Sequence, residues 1–202
     1  MSLVQSIAPV EEPVSASEAK TQCNVYFSED DAFISALIVA ARERTEANTW
    51  RQLCTATYVL RLRGFPGEDF IDLPRPPTQA VSGITYIDTD GATQTLSTDV
   101  WELDAFDTPG RVRLKYGKTW PTTRDQWNAV TITYTAGYSD DGNAVPQVLK
   151  QAILMRVANW YLYREPTVPL TIQKVFEGPE ALDAQLKFRH EFNFVRARLG
   201  SI

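Results

Sequence analysis

The sequence predicts an α+β protein: a discontinuous helical bundle domain with a small antiparallel β domain inserted into it. Three observations carry that expectation. Apolar residues recur at helical spacing before residue 56 and again after residue 143. Between them, short alternating runs are broken every 8–12 residues or so by Gly, Pro and Asp-Gly turn signals. Finally, 202 residues that are 44% hydrophobic and 22% charged are enough to bury a core without disulfides or metal. The expected boundaries are 1–56 and 143–177 for the helical domain, 57–142 for the β domain, and 178–202 for a C-terminal helix and arm that docks on a partner.

Element by element, Ser15 with Glu18 fits a capping box, and Val14 is placed to staple against Ala19, so a short helix follows over 16–23. Ser28 is the expected cap of a longer helix running to about Thr49. Its first turn holds Glu29, Asp30 and Asp31, where the helix dipole favours negative charge, and its stripe is Phe33, Ile34, Leu37, Ile38 and Ala41. Strands are expected over 58–63, 70–73, 81–88, 92–96, 100–103, 111–115 and 129–135, forming a compact antiparallel sandwich or barrel. Thr89-Asp90-Gly91 supplies the hairpin turn between the third and fourth. Pro146 opens the next helix, after Asn143 or Ala144 as cap, with Leu149, Ala152, Ile153, Val157, Trp160 and Tyr161 on one face and an end before Pro166. Residues 167–176 read as an extended arm. Gly178-Pro179 then starts a last helix with Leu182, Leu186, Phe188, Phe192, Val195 and Leu199 along its stripe. Trp50, Trp101 and Trp160 sit in apolar patterns and are expected in the core.

Charge and chemistry exclude several classes of function. The formal net charge of −5 argues against a free-standing DNA-binding module, which needs a basic excess against phosphate. The charge is uneven: residues 1–50 hold eight acids and three bases, and residues 148–202 hold five acids and eight bases. Copies with an acidic head and a basic tail can pair head to tail, and intramolecular pairing explains the same asymmetry. Two distant cysteines, Cys23 and Cys54, suit reduced, partly buried thiols. The N-terminus reads as no signal peptide, and no apolar run approaches the roughly 20 residues that span a bilayer, so the chain is expected in the cytoplasm or within a larger particle.

The search for catalytic motifs finds none. The single histidine, His190, lies between Arg189 and Glu191, which suits a surface position better than a catalytic base. Gly117-Lys118-Thr119 has Val112 where a phosphate-binding loop needs glycine. Asp88, Asp90 and Asp140-Asp141-Gly142 are explained by turn chemistry as well as by weak calcium binding. No catalytic residue, cofactor or metal is expected. The partner-facing candidates are aromatic and basic: Phe188, Phe192, Phe194, Arg196 and Arg198 in the terminal helix, and Trp120 and Trp127 in a loop. Three phenylalanines on more than one side of a helix want more than one apolar neighbour, and packing back on the chain's own core answers that as well as insertion between subunits or into a partner.

The order of segments resembles the gp6-like head–tail connector proteins of tailed bacteriophages. The residues that carry the resemblance are Pro13 to Lys20, Glu29 to Ile34, Ala40 to Glu46, Leu73-Pro74-Arg75-Pro76-Pro77, Ile84 to Asp88 before Asp90-Gly91, Tyr116 to Pro121, Val130 to Tyr138, and Val145-Pro146 with Leu149 to Ile153. Together they span residues 9–165. The chain departs from the pattern after Arg164, where 38 residues follow.

The resemblance implies a virion structural protein without catalysis. Such proteins form a ring, commonly of twelve copies, under the portal, extend the DNA channel, and offer a docking surface to a stopper or tail-side neck protein. Double-stranded DNA would pass without specific recognition, and no membrane is involved. The implied location is the virion neck, with assembly in the host cytoplasm. The competing reading is a receptor- or carbohydrate-binding module of a phage tail, resting on Trp120 and Trp127. A carboxylate-using hydrolase has no positive motif.

Overall fold

The computed structural model describes residues 1–164 and 178–187. The expected Phe188, His190, Phe192, Phe194, Arg196 and Arg198, and the arm over 167–176, lie outside the described residues. Helices and antiparallel sheets are both present, as the mixed patterning predicts. The described residues fall into two units: one holds Met1–Ala8 and Thr55–Gly137, the other Pro9–Cys54 and the described residues from Tyr138 onward.

The β unit contains eight strands: β1 (Ser2–Ile7), β2 (Ala56–Leu62), β3 (Phe70–Asp72), β4 (Thr78–Ile87), β5 (Thr93–Thr95), β6 (Trp101–Asp104), β7 (Arg111–Leu114) and β8 (Val130–Ala136). They form a five-stranded sheet in the order β1-β2-β8-β4-β5 and a three-stranded sheet in the order β3-β7-β6. Every pairing is antiparallel. Period-two alternation sets the register. Leu60 faces Ile132, which faces Ile84, so three fully buried aliphatics form one row across the large sheet. In the small sheet Ile71 faces Val112, which faces Leu103. Both rows join one hydrophobic cluster with Leu73, Trp101 and Tyr134. Tyr134 stacks on Tyr58 with ring centroids 5.7 Å apart and donates its hydroxyl proton to the carbonyl of Pro74 at 2.7 Å. Burial pushes that phenol well above its ordinary pKa, and the neighbouring Tyr58 adds to the rise. The small sheet also carries two cross-strand ion pairs, Asp72–Arg111 and Glu102–Arg113.

Strand β1 was not expected. Its six residues, SLVQSI, are short and only weakly patterned, and just Leu3 packs on the core. It exists because β2 offers an open edge: Leu3 pairs with Leu60 and Val4 with Val59, with a register shift before Ile7. Residues 1–8 therefore lie with the strands, whereas the sequence groups them with the helices.

The helical unit contains α1 (Ala16–Cys23), α2 (Asp31–Thr49), α3 (Gln147–Leu162) and α4 (Gly178–Leu186). Among the described residues no helix is long and apolar enough to cross a membrane. The Ser15–Glu18 capping box forms as expected, and the hydrogen bond from the Ser15 backbone is the main reason the Glu18 carboxyl sits below its ordinary pKa. The start of α2 differs. Asp30, not Ser28, holds the N-cap position, and Ser28 contributes only its carbonyl, which accepts from the Asp31 amide. The Asp30 side chain makes no cap because it is occupied elsewhere, accepting from the Tyr161 hydroxyl and lying 3.4 Å from the Arg164 guanidinium.

The buried stripe of α2 runs twice as far as its hydrophobicity suggests. Ile34, Ile38 and Ala41 are followed on the same face by Arg42, Thr45, Glu46 and Thr49, all buried. Thr45 and Thr49 bond back to the carbonyls four residues earlier. Glu46 accepts from Arg42 at 2.9 Å, from the Gln52 side chain at 2.8 Å and from the Leu53 amide at 3.1 Å. Every charge on this polar half is therefore matched, as burial requires. Trp50 corrects the expected core assignment: it is the C-cap of α2, has φ of 59°, and is 47% exposed.

Candidate assembly surfaces

In the helical unit, α4 is held chiefly by polar contacts. Asp183 and Arg156 are each about 3% exposed at the side chain and form an ion pair. Asp183 also accepts from Asn48 at 2.9 Å, and Arg156 donates to the Thr45 hydroxyl at 2.6 Å. Arg51 donates to the carbonyl of Leu186 at 2.8 Å. Asp183 thus ties the last helix to both α2 and α3. The segment 178–187 is consequently part of the helical unit, although the sequence groups it with the docking arm.

A second charged centre lies under the segment that precedes α1. Arg42 bonds to Glu12 at 2.8 Å and to Glu46 at 2.9 Å. Burial opposes its charge, but Glu46, Glu12 and Glu43 outweigh burial and hold the guanidinium above its ordinary pKa. Cys54 is buried beside these groups, and burial pushes its thiol up to about 12, with Glu12 and Glu46 adding to the rise. It is a packed thiol held in its protonated form. Gly142 closes the same corner. A Cβ there would come within 2.7 Å of the Pro13 Cα and 3.3 Å of the Cys54 sulfur, and its φ of 70° already favours glycine.

Above this centre opens a cleft of about 550 Å³. Val14 and Ile38 form its floor, Val10 and Val39 are exposed at its edge, and Glu11, Glu12, Glu18 and Asp141 face one base, Lys150. At the far end of α2, Phe33, Tyr161 and Arg164 form an aromatic cluster with the guanidinium 4.8 Å from the Phe33 ring centroid. Tyr26, Phe27 and Leu162 are exposed in the same unit.

The two loop tryptophans part company. Trp120 stacks on Phe65 with centroids 4.8 Å apart and planes 4° off parallel, and donates its indole N–H to the Glu68 carbonyl at 2.9 Å. It is spent on the β unit itself. Trp127 is 79% exposed, with Arg63 5.6 Å above its ring, and remains available to a partner.

The acidic turns are built for themselves. Asp88 accepts from the amides of Asp90 and Ala92 and from the Gln94 side chain, and Asp141 accepts from the amide of Asn143. Among the described residues no three His, Cys, Asp or Glu side chains cluster as a metal site would need.

Residues 15–98 match the family model of phage gp6-like head-tail connector proteins, the family that the sequence resembles. No curated protein sequence matches the chain. Among solved structures, the chain is similar to one in the neck of an empty GTA particle computed with C6 symmetry, with a TM-score of 0.79 and 21% identity, covering 95% of this chain and 97% of that one. A chain in the virion of the native gene transfer agent gives 0.77 at 21% identity, and one in the native neck computed with C12 symmetry gives 0.76 at 22%, with the same coverage. At that identity the likeness is one of fold.

Proposed function

We propose that this chain is a virion structural protein, a head–tail connector that sits in the neck as a subunit of a ring beneath the portal. Two findings carry the reading. The fold follows neck chains over 95% of its length, and residues 15–98 independently match a connector family.

The finer reading is a helical bundle interrupted by an inserted β domain, twelve copies to the ring, with the portal above and a stopper or tail-side neck protein below. DNA passes through the ring without being read. The net charge of −5 supports passage over adhesion. Phe188, Phe192, Phe194, Arg196 and Arg198, together with exposed Trp127, are the proposed partner contacts. Trp120 belongs to the same proposal, although its ring stacks on Phe65 and its indole N–H is taken by Glu68, so exposed Trp127 is the better supported of the two.

Imaging particles that carry this chain tests the proposal. A ring of density for the chain between portal and tail is expected, and particles lacking the chain are expected to lose DNA or fail to join tails. Tail-competent, DNA-filled particles without it would overturn the reading.

A further inference from the structure

The acidic cleft of the helical unit has a complement in the chain's own terminus. Its floor is apolar, its edge exposes Val10 and Val39, and its rim holds four carboxylates against Lys150. Glu12 is paired with the Arg42 cation, whereas Glu18 and Asp141 are held by the neutral donors of Ser15 and Asn143 and keep their charge, so with Glu11 they set the field at the opening. A site of this volume falls within the roughly 300–1,000 Å³ that takes small molecules or a few side chains. What fits is a segment with aromatic anchors and positive charge between them.

Residues 188–202, FRHEFNFVRARLGSI, have that composition: three phenylalanines, Arg189, Arg196 and Arg198 against one acid, Glu191. Fifteen residues reach at most about 50 Å when extended, enough to cross to an adjacent subunit.

We propose that this cleft receives residues 188–202 of a neighbouring copy, with a phenylalanine seated over Val14 and Ile38 and the arginines facing Glu11, Glu18 and Asp141. Each copy carries both an acidic head and a basic tail, so the contact is heterologous and repeats from copy to copy. A repeating contact of this kind closes when the rotation between copies divides a circle, which is the geometry a neck ring needs. The inference rests on the ring reading above and names the surface that joins its subunits.

Two full-length chains, one carrying Val39→Cys and isotopically heavy, the other carrying Phe194→Cys and light, both in a Cys23→Ser background, test it. Their mixed disulfide, formed with oxidised glutathione as the two-electron oxidant at fixed concentration, can form only between copies. It should form about tenfold faster than the pairing of Phe194→Cys with Asp99→Cys, an exposed control position on the β unit, because docking raises the effective concentration of the two thiols. Arg196→Glu with Arg198→Glu should abolish that advantage, and added Glu11→Lys on the cleft chain should restore part of it. High salt should weaken it. Equal rates for cleft and control pairs up to the solubility limit would overturn the proposal, as would a single chain carrying both Val39→Cys and Phe194→Cys that cross-links only within itself. Neck imaging separates the two readings. A chain found in the neck without the cross-link loses the cleft and keeps the connector role, and a cross-linking chain found elsewhere in the particle does the reverse.

Discussion

Removing the Asp183 carboxylate should uncouple α4 from the helical unit. For a charge separation of about 4 Å at an effective dielectric constant near 20, the attraction between Asp183 and Arg156 is about 4 kcal/mol. Both side chains are only 3% exposed, so solvent screens little of it. In Asp183→Ala the guanidinium would retain its bond to Thr45 and a 3.5 Å approach to the half-exposed Glu180, while its Nε already lacks a partner. Leaving one member of a buried pair alone costs about 3–5 kcal/mol. The chain has one escape: α4 can lift away and let water reach Arg156. The measured loss is then capped by the free energy that docks α4. Urea unfolding followed by circular dichroism should show the loss, and hydrogen exchange should show which route is taken, with amides of 182–186 losing protection first if the helix lifts. The double replacement Arg156→Met with Asp183→Leu should recover most of the stability, since an apolar pair of similar volume avoids the desolvation penalty. A change in Asp183→Ala under about 0.5 kcal/mol, with protection of α4 intact, refutes the reasoning.

Other expectations follow from single sites. Ser15→Ala should cost about 1 kcal/mol through loss of the α1 cap, read by thermal melting. The Glu18 carboxyl is lowered from 4.5 in the folded chain, so its contribution is complete above that value and fades as pH falls through the lower folded value. Glu18→Gln should flatten that acid limb of the melting profile. Cys54 should stay silent to a thiol reagent at pH 8 and react only on unfolding, because its folded pKa lies near 12; prompt labelling of Cys54 in native protein would contradict its burial. Ile132→Ala should destabilise the β unit by about 2–5 kcal/mol, since the residue is fully buried in the Leu60–Ile132–Ile84 row. Trp120→Ala should lower the melting temperature of the same unit. Trp127→Ala should leave it unchanged and act only on incorporation into particles, measured by immunoblot of purified virions.

Elements with a local cause were legible in the residues alone. The capping box at Ser15 and Glu18 and the Asp-Gly turn after β4 need only a few neighbouring residues, and each stands where the pattern places it. Alternation in β2 and β8 likewise assigned their buried faces, because period two leaves one choice once a side is apolar. Tertiary structure decided everything that depends on a distant partner. Strand β1 forms because β2 has an edge to fill. Ser28 loses the cap of α2 because Tyr161 and Arg164, 131 and 134 residues away, draw Asp30 into place. The buried polar half of α2 reads as a solvent face until Glu12, Gln52 and Arg156 arrive to satisfy it. Trp120 and Trp127 look alike in sequence, and only the presence of Phe65 under one of them makes it structural. A hydrogen bond or a stacked ring across such separations depends on where the chain returns, and local propensity carries no record of that.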